Sequence, residues 1–210
     1  MSGNEAKTIK VTPSWEGLGR VPKWVEDTRP SPFTELTDLE FASAHGRTSI
    51  IKVLLDAGGD INAKSHKWAT TPLRTATSYG ETEAVQFLID YGADLEVRDS
   101  LGRTCLFTAV EFRYREIVQV LLDAGANANV SDDWGVTPIM CAVSLNNIKI
   151  AKILLAAGAD VNAIERNGNT VSDFVSYKRY SIPILGDFYT SERNKEMGRL
   201  LEEAKLKNGM

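Results

Sequence analysis

The sequence predicts an all-α solenoid of about five stacked helix-turn-helix units, and three observations carry that prediction. A short motif, Ala-Gly-(Ala/Gly)-(Asp/Asn) or a close variant, recurs at Ala57 to Asp60, Tyr91 to Asp94, Ala124 to Asn127 and Ala157 to Asp160. It sets Gly58, Gly92, Gly125 and Gly158 apart by 34, 33 and 33 residues. A threonine marker keeps step: Thr71-Pro72, Thr104-Cys105, Thr137-Pro138 and Thr170-Val171 follow at intervals of 33, and Thr37 lies 34 before Thr71. Between the markers apolar residues return at helical spacing, as in Ile50-Ile51 with Val53-Leu54-Leu55, which makes one buried stripe per helix. A unit this small cannot bury its own apolar face, so each depends on stacking against its neighbours and the two ends need caps.

Residues 1–32, an N-terminal arm or cap, hold four of the seven prolines and two of the four tryptophans, Trp15 and Trp24, without a helical period. Two readings stand: an arm whose tryptophans cover the first repeat, or a tail carrying a docking motif. The repeats follow over 33–180, divided at about 33–64, 65–98, 99–131, 132–164 and 165–180, the last being only the start of a unit. In each, threonine is expected to cap a short first helix, and proline suits the next position because its missing N–H would be unpaired there. Second helices are expected at Ile50 to Leu55, Ala84 to Ile89, Ile117 to Leu122 and Ile150 to Leu155, each ended by a left-handed glycine. Arg113 occupies the inter-helix turn where Gly46 and Gly80 stand in earlier units, and Asn146 follows one unit later. Were that turn kept, a left-handed arginine would cost about 1 kcal/mol; either the loop differs or the side chain is wanted there. The last unit opens with Asn167-Gly168-Asn169-Thr170, but its second helix is delayed by an insertion at 181–190. Residues 191–210 are read as a capping helix and tail with the stripe Met197, Leu200, Leu201 and Ala204. The insertion is apolar and aromatic enough to pack or to bind.

These residues resemble the ankyrin repeat, and the match covers roughly Phe33 to Lys178 with four copies in register. The resemblance implies that successive outward turns pair into short β-hairpin fingers, that the first helices line a concave face and that the second helices form a convex back. One departure is general. The family's usual histidine after Thr-Pro-Leu is replaced by Glu40, Arg74, Phe107, Met140 and Asp173, which removes the usual hydrogen-bond support.

Composition narrows the function classes. A formal net charge of −4 argues against a partner recognised by bulk phosphate electrostatics, because nucleic-acid binders carry a basic face that displaces counterions. Cys105 and Cys141 have no CxxC spacing and only two histidines are present, so a zinc site lacks ligands. Both thiols are expected reduced and buried. No stretch approaches the ~20 apolar residues of a membrane span. The start, Met1-Ser-Gly-Asn-Glu-Ala-Lys, lacks the basic-then-apolar order of a secretory signal, so cytoplasm is the expected compartment. No cofactor is expected: the glycines are spread through the repeats in turn roles rather than gathered in a phosphate loop. His45 and His66 sit at repeat-surface positions without a nucleophile to serve, so catalysis is not expected.

Periodicity shows which positions the scaffold does not need. In the register that the resemblance implies, finger tips fall at Lys67-Trp68, Ser100-Leu101, Asp133-Trp134 and Arg166-Asn167. The exposed ends of first helices fall at Ser78-Tyr79, Glu111-Phe112, Ser144-Leu145 and Tyr177-Lys178. The expected partner-binding residues are therefore Lys67, Trp68, Tyr79, Arg98, Leu101, Arg103, Glu111, Phe112, Asp133, Trp134, Leu145, Arg166 and Tyr177. Large aromatics at positions free of structural duty are the usual anchors of protein interfaces. Trp68 and Trp134 also admit packing against neighbouring finger backbones. Arg98, Arg103, Arg113 and Arg115 cluster around the third repeat and either meet an acidic patch or solvate the surface. The function expected is a non-catalytic adaptor or inhibitor that is monomeric when free and binds a partner protein. A narrower form is an immunity or antitoxin-like protein that occludes an enzyme. The alternatives of other classes are an enzyme with its site in the 181–190 insertion and a nucleic-acid scaffold using the arginine cluster.

Overall fold

Threonine starts the first helix of the early units by offering its hydroxyl to an amide that has no partner inside the helix. In a computed structural model, which describes residues 37–65, 70–176 and 187–208, Thr37 Oγ1 accepts from Glu40 N at 3.2 Å. The Glu40 carboxylate accepts from Thr37 N at 2.9 Å in return, a reciprocal capping box. Thr71 accepts from Arg74 N at 3.3 Å and Thr104 from Phe107 N at 3.5 Å. Thr137 departs from the expectation: its hydroxyl is buried with no hydrogen-bond partner among the described residues, and the helix begins there on the fixed φ of Pro138.

The elements run α1 Asp38–Ala44, α2 Thr48–Asp56, α3 Pro72–Tyr79, α4 Thr82–Asp90, α5 Cys105–Glu111, α6 Arg115–Asp123, α7 Pro138–Ser144 and α8 Ile148–Ala156. A 3-10 turn at Asp173–Ser176 and α9, Asp187–Asn208, complete the described residues. The N-terminal arm lies outside them, as do 181–186 of the insertion. First helices α1, α3, α5 and α7 stack in one layer, and second helices α2, α4, α6 and α8 in another. Neighbouring first helices approach one another more closely than neighbouring second helices do. Each second helix ends on a glycine at φ between 83° and 92°, the left-handed backbone that a residue without Cβ adopts at least cost.

One continuous core runs between the layers. Leu73, Leu106 and Ile139 face it from the first helices, and Ile51, Leu88, Leu121 and Leu154 from the second, all fully buried. Each such side chain contributes about 1.5–3 kcal/mol relative to an exposed position. Val171 and Phe174 of the incomplete fifth unit continue the core, and Met197 and Leu201 of α9 close it. That helix begins at Asp187 rather than Ser191, inside the segment read from sequence as insertion. It is tied to the stack by Asn146 Nδ2 donating to Asn194 Oδ1 at 3.0 Å and Lys205 Nζ donating to Ser172 Oγ at 2.9 Å.

The expected β-hairpin fingers are not formed as strands among the described residues. Among the described residues the only bridge is the isolated pair Ile164 and Thr170. The later fingers are instead tight turns closed by two backbone bonds, such as Asp99 N to Arg103 O and Gly102 N to Asp99 O, both 3.0 Å, and Asp132 N to Val136 O at 2.9 Å with Gly135 N to Asp132 O at 3.0 Å. Carboxylates occupy the amides that a ladder would use: Asp99 Oδ1 accepts from Leu101 N at 2.9 Å and Arg103 N at 2.7 Å. Asp132 Oδ1 accepts from Trp134 N and Val136 N, both at 2.9 Å. Adjacent fingers then meet through single bonds, Asp133 N to Leu101 O and Arg166 N to Trp134 O, each 3.0 Å.

Where the family's histidine is missing, other side chains link the units. Glu40 Oε1 accepts from Thr70 Oγ1 of the next finger at 2.7 Å. Arg74 donates through Nη1 to Arg103 O at 3.1 Å and through Nη2 to Asp99 Oδ2 at 2.5 Å. Phe107 and Met140 are buried and have no polar atom to offer, and between the third and fourth units the guanidinium of Arg103 takes over. It lies 5.1 Å from the Phe107 ring centre, with Nε 4.0 Å from Asp132 Oδ2.

Candidate interaction surface

The inter-helix turns place the aromatic side chains. Tyr79 is the last residue of α3 and Phe112 follows the end of α5, so both stand where the chain leaves the first-helix layer. They are 60% and 51% exposed, large fractions for side chains of this size. Tyr114, which the sequence reading did not select, links them: its ring stacks on Phe112 at 5.9 Å between centres and lies against the Gly80 backbone next to Tyr79. At the finger tips Leu101 and Trp134 are 38% and 48% exposed, and the bond from Asp133 N to Leu101 O brings their tips side by side. The signal for Tyr114 was present in the repeat, since it follows the left-handed turn residue just as Glu81 does in the unit before.

The inter-helix turn geometry is kept at Arg113, with φ 64°, and at Asn146, with φ 50°. A Cβ on Gly80 would stand 3.0 Å from the Tyr114 ring, and one on Gly46 would collide with the Glu81 carboxylate. The residue in the equivalent place over Arg113 is Asn147, whose side chain instead accepts from Ile150 N at 3.2 Å. That diversion spares the third turn the contact that requires glycine at Gly80.

Most of the charged candidates are engaged within the protein. Arg103 Nη1 donates to both Glu111 oxygens, at 2.9 and 3.2 Å. Arg98 Nη2 donates to Ser131 O at 2.6 Å and lies 3.9 Å from Asp133 Oδ1. Leu145 is half-buried against the core, whereas Arg166 is exposed and joins its finger to Trp134 through its backbone amide. Lys67, Trp68 and Tyr177 lie outside the described residues.

Two family profiles match this chain, one described as Ankyrin repeats (3 copies) over residues 39–132 and one as Ankyrin repeats (many copies) over 121–175. The chain belongs to the ankyrin-repeat family. No curated protein matches it. Ankyrin repeats are generally protein–protein interaction modules and typically non-catalytic. In this ankyrin stack, no group of three or more His, Cys, Asp or Glu is arranged to hold a metal ion among the described residues, and no described helix is long and apolar enough to cross a membrane. Both cysteines are buried and neither forms a disulfide among the described residues, and burial pushes the Cys105 thiol up to about 12, far from the thiolate that nucleophilic chemistry needs. The last ankyrin finger is held by Glu165, whose carboxyl sits below its ordinary range because the backbone amide of Asn167 donates to it, assisted by Asn169. Asp173 is lowered likewise by the Thr170 hydroxyl and amide.

Proposed function

We propose that the protein is a non-catalytic interaction module that holds a partner protein against the first-helix face and the finger tips. The observation that carries this reading is the contrast between aromatic and charged groups on that face. Tyr79, Phe112 and Trp134 are exposed and have no structural duty between repeats, while Arg98, Arg103 and Glu111 are taken up internally. A surface on which Arg98, Arg103 and Glu111 are paired while its aromatics stay exposed offers apolar area more than long-range attraction. The partner therefore presents a neutral, apolar patch, and its affinity changes little with salt. Affinity capture with the intact chain at low and high salt tests this: a protein retained equally at both, and lost on Tyr79→Ser, supports the reading. Retention that disappears at high salt, or that survives Tyr79→Ser together with Phe112→Ser, contradicts it.

A further inference from the structure

On the opposite side of the stack, the outer faces of α4, α6 and α8 enclose an open groove of about 810 Å³. Its floor is apolar, from Val120 and Ile153, which occupy equivalent places 33 residues apart. Its walls carry three cations, Arg115, Lys149 and Lys152, with Glu116 as the single carboxylate.

The scaffold does not account for these cations. Along the second helices one tie recurs between residues four apart: Lys52 to Asp56 at 2.6 Å, then Gln86 to Asp90 and Gln119 to Asp123 at 2.8 Å. In the fourth unit Ala156 takes the place of the aspartate and leaves Lys152 without that partner. Among the described residues its one ion-pair contact is Glu196 of α9 at 4.0 Å, with both side chains more than half exposed. Lys149 stands where the earlier units have Ser49, Glu83 and Glu116. It lies in the first turn of α8, and Arg115 is the first residue of α6. The partial positive charge of a helix start favours acidic side chains, so cations there oppose helix stability. Among the described residues neither Arg115 nor Lys149 forms an ion pair. In a protein of net charge −4 this groove reverses the local sign.

We propose that the groove is a second docking site, separate from the aromatic face, that takes an acidic amphipathic segment of a partner protein. Carboxylates of the segment meet Arg115, Lys149 and Lys152, and its apolar side chains rest on Val120 and Ile153. A nucleic-acid strand fits less well, because its evenly spaced phosphates would meet Glu116 and the net negative charge of the protein while leaving the apolar floor unfilled.

The test is fluorescence anisotropy of a short labelled peptide, built of Glu and Leu with the leucines at helical spacing, titrated with the full chain. Saturable binding is expected, weakening with added salt and falling about tenfold or more in the exposed pair Lys149→Glu and Lys152→Glu. Phe112→Ala should leave it unchanged, which separates this site from the aromatic face. Backbone amide shifts on peptide addition should centre on residues 115–120 and 149–153. Absence of saturable binding, or equal binding by the folded charge-reversed pair, overturns the proposal. Tighter binding of a single-stranded oligonucleotide than of the peptide also overturns it and assigns the groove to phosphate.

Discussion

Arg74 of α3 reaches into the next finger and donates to Asp99, with the two side chains only 11% and 8% exposed. Asp99 also holds its own finger through the Leu101 and Arg103 amides, so its loss removes more than the loss of Arg74 does. Arg74→Ala should cost about 3 kcal/mol, as when one partner of a buried pair is removed. Asp99→Ala should cost more. Urea unfolding of both variants checks the order. Losses below about half a kcal/mol at both sites would mean that the units do not rely on this tie.

The left-handed turns give a prediction of opposite signs. Gly80→Ala should destabilise by at least about 1 kcal/mol, because the backbone is left-handed and the new Cβ meets the Tyr114 ring. Arg113→Gly removes a Cβ at φ 64° and should be neutral or stabilising by up to about 1 kcal/mol. Thermal melts that show the two variants moving in the same direction would contradict the account of these turns.

Core register is tested at Leu121 and Leu154, both fully buried between the layers. Truncation of either to alanine should cost roughly 2–5 kcal/mol. A loss under about half a kcal/mol at both would place these residues elsewhere than the core.

Acid should loosen the last finger. The folded protein holds Glu165 below its ordinary 4.5, so as the pH falls protons bind the unfolded chain first. The stability that this carboxylate supplies is therefore complete above pH 4.5 and lost as the pH falls through the lower folded value. Glu165→Gln should be less stable than the parent near neutral pH, with the gap narrowing below pH 4.5. A gap that stays constant across that window would show that the charge of Glu165 is not what holds the finger.

The helical stack was legible because its signals are local and periodic. Glycines spaced 33 or 34 apart mark the helix ends, and the threonines at 37, 71 and 104 cap as their position requires. The fingers were legible as turns but not as backbone, since carboxylates at 99, 132 and 165 take the amides that strands would have shared. Those carboxylates also recur every 33 residues, a signal the sequence contains. The candidate surface was only partly legible. Arg98 looked free because its partners, Ser131 and Asp133, come from the next finger and follow from the stacking, and Arg103 because its partner Glu111 lies eight residues on at the far end of α5 in the same repeat. Exposure of Tyr79, Phe112 and Trp134 was readable, because the position of an aromatic within the repeat fixes which way it leaves the stack.

The most direct test of the aromatic face is the affinity of a captured partner for Phe112→Ala and for Trp134→Ala, measured by titration calorimetry on protein shown to be folded by circular dichroism. Each substitution should weaken binding by at least about 2 kcal/mol, or roughly thirtyfold, while the melting temperature moves little. Unchanged affinity in both folded variants would contradict the assignment and move the interface off the first-helix face.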